Sequence, residues 1–216
     1  MTLHALPPEP LEGVTGVALA GGRASRMGHD KAALLLNGRP LVARVVERLR
    51  LALANIIVIG PHSLAALQPG APVIPDARPG LGPLGGLATA LDVTDTEWLF
   101  LVACDMPFIQ PALVRHMASL ALATPDAEAV ALRAPGGLEP LHAAYRHDIA
   151  PHVARALASP RPSMRGLLES LRVLEVAPAD VASLDPGNLS TFNANTPDDW
   201  SRALLLAAKE AGEDHS

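Results

Sequence analysis

The chain is expected to fold as an α/β protein, a three-layer αβα domain around a Rossmann-like, doubly wound and mostly parallel sheet, and three observations lead there. Apolar, β-branched runs alternate with Ala- and Leu-rich helical patterns over the first 125 residues, which is the βαβ signature. Two of those runs, Ile56-Ile57-Val58-Ile59 and Trp98-Leu99-Phe100-Leu101-Val102-Ala103, are apolar throughout rather than at every second residue, as central strands covered on both faces require. Aromatic residues make up 3% of the chain against a hydrophobic content of 49%, so the core must be built from Ala, Leu and Val, which suits helices packed on a sheet.

In chain order, the pattern predicts a strand over 13–19, a helix over 41–53, a strand over 55–59 and a short strand over 73–75. A helix over 84–91, a strand over 98–103 and a helix over 111–122 follow. Right-handed crossovers place the ends of these strands on one edge, where ligands of such folds bind. Beyond residue 125 the pattern loosens around Pro135-Gly136-Gly137, with a strand predicted over 138–143, helical patterns over 147–158 and 163–171, and a strand over 173–176. A last helix over 197–211 carries proline in its first turn. At 216 residues the whole chain, 1–216, is expected to form a single domain, with 1–12 and 209–216 as flexible ends.

Composition narrows the functional classes. A net charge of -5 and a pI near 5.9 offer no basic face for nucleic acid. The single cysteine, Cys104, excludes an internal disulfide and a multi-cysteine zinc site, which fits the cytoplasm. Residues 1–13 carry three prolines and two glutamates with no cationic run before an apolar core, so no signal peptide is expected there. No stretch reaches about 18 uninterrupted apolar residues, so no membrane span is expected.

The first strand runs into Gly21-Gly22, and Arg23, Ser25, Arg26 and Lys31 follow within one loop. Glycines let backbone N–H groups approach phosphate oxygens, and the basic side chains neutralise them, so a polyanion is the natural guest; an ordinary tight turn with surface basic residues is the plainer reading. The spacing fits neither a Walker A loop nor a G-x-G-x-x-G dinucleotide turn. The strand over 98–103 runs straight into Cys104-Asp105-Met106-Pro107, which puts the Asp105 carboxylate at the phosphate edge as a candidate ligand for Mg2+, with capping of the next helix as the competing role. Cys104 has no neighbour to activate it and reads as a small buried residue.

Two more loops face the same edge. In the loop over 76–87, Gly82-Pro83 begins a helix and Gly85-Gly86 sacrifice helix propensity, at about 1 kcal/mol per glycine, so something packs closely there. A base or ribose on Gly82 and Gly86 and close helix–sheet packing are equally compatible with that. In Asn193-Ala194-Asn195-Thr196-Pro197, Asn195 or Thr196 reads as a helix cap, while Asn193 and Asn195 are alternatives as phosphate or metal-water contacts. Arg161, Ser163 and Arg165 form either an anion-binding turn for an acceptor or a solvated one. The histidines show no metal spacing and are read as surface or satisfied polar groups.

Taken together, Leu19-Ala20-Gly21-Gly22, Ser25-Arg26-Met27-Gly28, Asp30-Lys31, Gly82-Pro83-Leu84-Gly85-Gly86-Leu87, Cys104-Asp105-Met106-Pro107, Glu139-Pro140-Leu141-His142-Ala143-Ala144-Tyr145 and Asn193-Ala194-Asn195-Thr196-Pro197 resemble the molybdenum cofactor guanylyltransferase family, often called MobA, over about residues 14–205. The resemblance implies a nucleotidyltransferase fold with a nucleotide-binding part over about 14–125 and an acceptor side over about 126–205. It implies transfer of GMP from GTP to the terminal phosphate of molybdenum-bound molybdopterin, with Mg2+ as cofactor and a delivering or acceptor enzyme as possible partner. Leu19, Ala20, Gly21 and Gly22 would then contact the nucleotide, Arg26 and Lys31 its phosphates, Asp76 the guanosine part, and Asp105 the metal. Asn193 and Asn195 would join the active site, and Arg161 and Arg165 the acceptor side. The stretch Ile59-Gly60-Pro61-His62 departs from members with an asparagine there. The alternatives are a related cytidylyltransferase and a non-catalytic nucleotide-binding module.

Overall fold

The computed structural model describes residues 9–21, 31–134 and 136–213. Its centre is a seven-stranded sheet in the order β5-β4-β1-β6-β8-β7-β9, formed by β1 (Leu11–Leu19), β4 (Leu53–Ile59), β5 (Val73–Ile74), β6 (Trp98–Ala103), β7 (Ala129–Ala134), β8 (Gly137–Arg146) and β9 (Val173–Val176). All neighbours run parallel except that β8 is antiparallel to both β6 and β7. A separate two-stranded hairpin joins β2 (Leu35–Leu36) to β3 (Arg39–Pro40). Asn37 and Gly38 both have positive φ at its turn, the paired left-handed geometry that Asn-Gly supplies at little cost.

Strand periodicity sorts the core into two layers. Val14 and Ala18 of β1 point to one face, packed with α1 (Leu41–Arg50) and α3 (Pro111–Ala123). Val17 and Leu19 point to the other, packed with α2 (Gly82–Val93), α4 (Ala150–Leu157) and α5 (Met164–Glu169). On α1 the buried positions Leu41, Val42, Val45, Val46 and Leu49 recur at helical spacing. On α2 every residue from Leu84 to Leu91 is buried. A short helix α6 (Pro178–Val181) follows β9, and the C-terminal α7 (Pro197–Glu213) sits on the β2–β3 hairpin, burying Ala203 and Ala207 with Leu36, Leu41 and Phe108.

The three-layer expectation stands, with these differences. The first helix ends at Arg50 and β4 starts at Leu53, because buried Leu53 pairs with Leu11 across the sheet. The strand expected over 138–143 runs from 137 to 146, since Ala144 and Tyr145 pair with both β6 and β7. β7, α6 and the hairpin were not expected at all. Secondary structure also enters both stretches expected to be flexible: Leu11 and Glu12 begin β1, and α7 reaches Glu213. Among the described residues no helix is long and apolar enough to cross a membrane.

Candidate active site

The C-terminal ends of β1 and β6 lie side by side, with Leu19 paired to Ala103 and the Cys104 amide donating to the Leu19 carbonyl at 2.9 Å. The Ala20 amide is likewise taken by the Ile59 carbonyl at 2.8 Å. At Gly21, next in the chain, a Cβ would meet nothing within 4 Å among the described residues. Gly22 and Arg26 lie outside the described residues.

Lys31 gathers this edge. Its Nζ donates to Asp105 Oδ2 at 3.3 Å and to Asn195 Oδ1 at 2.6 Å. The Lys31 and Asp105 side chains are about four-fifths buried, at 19% and 20% exposure, so their attraction is screened less than at an open surface. The Ala194 amide donates to the Asp105 carbonyl at 2.9 Å, which ties the asparagine loop to the end of β6 by main chain as well. Three segments far apart in sequence thus meet around one ammonium group.

The Asn195 and Thr196 roles separate here. Thr196 is the cap: its hydroxyl accepts from the Asp199 amide at 3.1 Å, and the Asp199 carboxylate reaches back to the Thr196 amide at 2.9 Å, a reciprocal capping box. The Thr196 hydroxyl, donating to the same carboxylate at 2.8 Å, holds the Asp199 carboxyl below its usual range, and the Thr196 and Asn195 amides add to that. The Asn195 side chain is left to face Lys31, while the Asn193 side chain donates through Nδ2 to the Thr191 carbonyl at 3.0 Å.

Asp76 fixes the entry to α2. Its Oδ1 accepts from the Arg78 amide at 2.9 Å and from the Thr89 hydroxyl at 2.8 Å. The question left open at the α2 glycines resolves for packing at Gly85 and Gly86: a Cβ would stand 2.7 Å from the Arg78 carbonyl in the first case and 2.8 Å from Leu19 Cδ2 in the second. At Gly86 the Leu19 side chain takes the space a Cβ would need, which accounts for the glycine by packing. Gly82 differs, being exposed with φ +65° and open space around it.

Around the Arg161–Arg165 turn, Ser163 caps α5 by accepting from the Gly166 amide at 3.0 Å, and Arg165 donates to the Gly136 carbonyl at 2.8 Å. Arg161 is exposed in the turn before α5. Sequence reasoning gave Glu139 no role of its own. It is half-buried, its Oε1 accepts from the Leu141 amide at 3.0 Å, and burial first, then the Asp105 charge, raise its pKa, while the Leu141 bond and Arg165 lower it. Its place near the start of β8, just beyond the stretch paired with the end of β6, was the signal, and it became readable only with the sheet order. His142, three residues on, corrects the reading of the histidines: it is fully buried against Phe100, neither ring nitrogen has a partner among the described residues, and burial lowers its pKa to about 4. Cys104 is buried, as expected. A depression at the opposite edge, lined by Asp95, Thr96, Glu97, Arg146, His147 and Asp148, has its basic groups engaged: Arg146 pairs with Asp148, and His147 Nε2 lies 2.9 Å from the Leu91 and Thr94 carbonyls.

Residues 16–188 match the family model described as a MobA-like NTP transferase domain. A probable molybdenum cofactor guanylyltransferase of Pelotomaculum thermopropionicum is 34% identical over 194 residues, covering 89% of this chain and 93% of that one. A molybdenum cofactor guanylyltransferase of Xanthomonas euvesicatoria pv. vesicatoria is 36% identical, covering 88% and 94%. The crystal structure of molybdopterin-guanine dinucleotide biosynthesis protein A from Archaeoglobus fulgidus superposes with a TM-score of 0.77 at 26% identity, over 90% of this chain and 99% of that one. With that family model matched over residues 16–188, the chain belongs to the MobA-like NTP transferase family.

Proposed function

We propose that this nucleotidyltransferase moves GMP from GTP to the terminal phosphate of molybdenum-bound molybdopterin, giving the guanine dinucleotide cofactor and pyrophosphate. The observation that carries the reading is Lys31, held between Asp105 and Asn195. An ammonium group has three protons to donate, and two are engaged here, which leaves the third for a phosphate oxygen. Gly21, with Ala20 before it, offers main chain to the nucleotide, and Arg26, named from the sequence, is a further phosphate ligand in this reading. The Asp76 oxygen not used in holding α2 is the group offered to the guanosine part.

Asp105 would hold Mg2+. Its carboxylate is a hard oxygen donor at the phosphate edge, and the described residues contain no cluster of three or more His, Cys, Asp or Glu, so a cation here relies on one or two carboxylates plus phosphates and water, as Mg2+ does. When bound, the cation neutralises charge developing on the phosphates of an in-line displacement. The chain's own contribution is positioning: Lys31 and Arg26 draw in the triphosphate, and Arg161 and Arg165 receive the anionic acceptor. No covalent intermediate is needed. Transfer requires the acceptor to arrive, so a delivering or receiving enzyme is part of the proposal.

The test is incubation with molybdopterin, molybdate, Mg2+ and each nucleoside triphosphate in turn, followed by release and identification of the nucleotide. GMP release from the product with GTP alone, abolished by EDTA, is expected. Turnover with CTP alone would replace the guanine assignment, and GTP binding without pyrophosphate release would overturn catalysis.

A further inference from the structure

Strands β6 and β8 run antiparallel with Leu101 opposite Ala143 and Val102 opposite His142. β6 ends at Ala103 and the chain turns there, the Met106 amide donating to the Ala103 carbonyl at 3.1 Å, so Asp105 follows β6 at the same end of the sheet at which Glu139 enters β8. Their closeness is felt electrostatically, since the Asp105 charge disfavours ionisation of Glu139. Only one Glu139 oxygen is engaged, by the Leu141 amide, and the other has no partner among the described residues. On the far side Arg165 pins the Gly136 carbonyl and offsets part of the negative charge. Lys31, by contrast, spends its two described hydrogen bonds on Asp105 and Asn195.

A half-buried carboxylate beside the meeting point of a triphosphate and a phosphorylated acceptor repels both. Its place there makes chemical sense when a positive charge arrives with the nucleotide. We infer that Glu139 is a positioning residue for the divalent cation of Asp105, accepting a hydrogen bond from one of the cation's waters and so fixing the cation's place between the two substrates. The inference rests on the proposed nucleotidyl transfer only for the presence of that cation. The Leu141 amide keeps the Glu139 carboxylate turned to this task, and Arg165 limits the cost of holding it there before the cation binds.

The variant Glu139→Gln keeps the oxygen that accepts from Leu141 and removes the charge. Two affinities test it without turnover: Mn2+ binding in the presence of a non-hydrolysable GTP analogue, followed by electron paramagnetic resonance, and binding of the same analogue in EDTA, followed by calorimetry. Mn2+ affinity should fall about tenfold, the scale of an outer hydrogen bond to a metal site. Metal-free nucleotide affinity should rise roughly threefold, because a repulsive charge has gone. A merely structural role would weaken both together, and that result, or no change in Mn2+ affinity, overturns the inference. If the opposite shifts appear but the wild type forms no dinucleotide, the transfer reading fails alone. If the dinucleotide forms and Mn2+ affinity is unmoved, Glu139 fails alone.

Discussion

From β5 to β6 every neighbouring pair of strands runs parallel, and β1 and β6 reach the ligand edge after wholly buried runs, whereas β8 runs against its neighbours and has its buried residues, His142 to Tyr145, toward its far end. The direction decides what each half delivers. Parallel strands bring their C-terminal ends to the site, so the polar residues that follow an apolar run, Gly21 and Asp105, are the ones presented. The antiparallel strand brings its beginning, so β8 presents Glu139 first and buries His142 three residues later. One half contributes charge at the end of a rigid strand, and the other places a polar side chain at the site and another inside the core.

Asp105→Ala breaks the first half of that contrast and should have the largest effect. It removes the carboxylate proposed for the cation and one of the two described partners of Lys31. Loss of several kcal/mol of charge stabilisation lowers kcat/KM on the order of 10³-fold, with little change in thermal stability because the side chain sits at the sheet's edge. Steady-state kinetics over a Mg2+ titration check it, and near-normal turnover would remove Asp105 from the metal role.

His142→Phe addresses the other half. Burial holds the folded-state pKa at about 4, below the ordinary 6.5, so the unfolded chain takes up the proton first as pH falls. The folded state therefore keeps its full stability from this group above about pH 6.5 and loses it on acidification toward pH 4, by roughly 3 kcal/mol at the lower limit. Phenylalanine occupies a similar shape beside Phe100 without an unpaired nitrogen, and should also add about 1–3 kcal/mol at neutral pH. Urea unfolding from pH 4 to 8 measures both, and equal pH slopes in wild type and variant would show that His142 does not carry the dependence.

The same contrast accounts for what could be read from residues alone. Trp98-Leu99-Phe100-Leu101-Val102-Ala103 states its own structure, because a strand covered on both faces has no polar positions to blur it, and the residue that follows must emerge at the edge. β8 hides its structure: its first five residues are half-exposed and contain a proline, so the residues alone support only the shorter strand over 138–143. Glu139 gained meaning only through the sheet order, which sets the start of β8 beside the end of β6 and which no local pattern specifies. Asn195 was ambiguous for a similar reason. Cap and ligand-facing roles share a residue type, and the reciprocal Thr196–Asp199 bonds were needed to free Asn195 for Lys31.

Within the parallel half, Gly85 and Gly86 sharpen the comparison at the smallest scale. Both are buried at the start of α2, and the sequence was equally compatible with a ligand lying on the backbone and with close helix–sheet packing. The clashes a Cβ would make differ in kind. At Gly85 it would press on the Arg78 carbonyl, a main-chain atom of the loop whose turn is closed by the Arg78–Leu81 hydrogen bond, so relief requires moving the loop that Asp76 organises. At Gly86 it would press on the end of the Leu19 side chain, which can rotate. Gly85→Ala should then cost about 2–3 kcal/mol and raise KM for the nucleotide through the displaced Asp76, while Gly86→Ala should cost about 1 kcal/mol, reduced further by the gain in helix propensity, with KM nearly unchanged. Thermal unfolding and KM measured on the two variants check the order. A KM effect larger at Gly86 than at Gly85 would restore the ligand-facing role to Gly86 and remove Leu19 as the reason for the glycine.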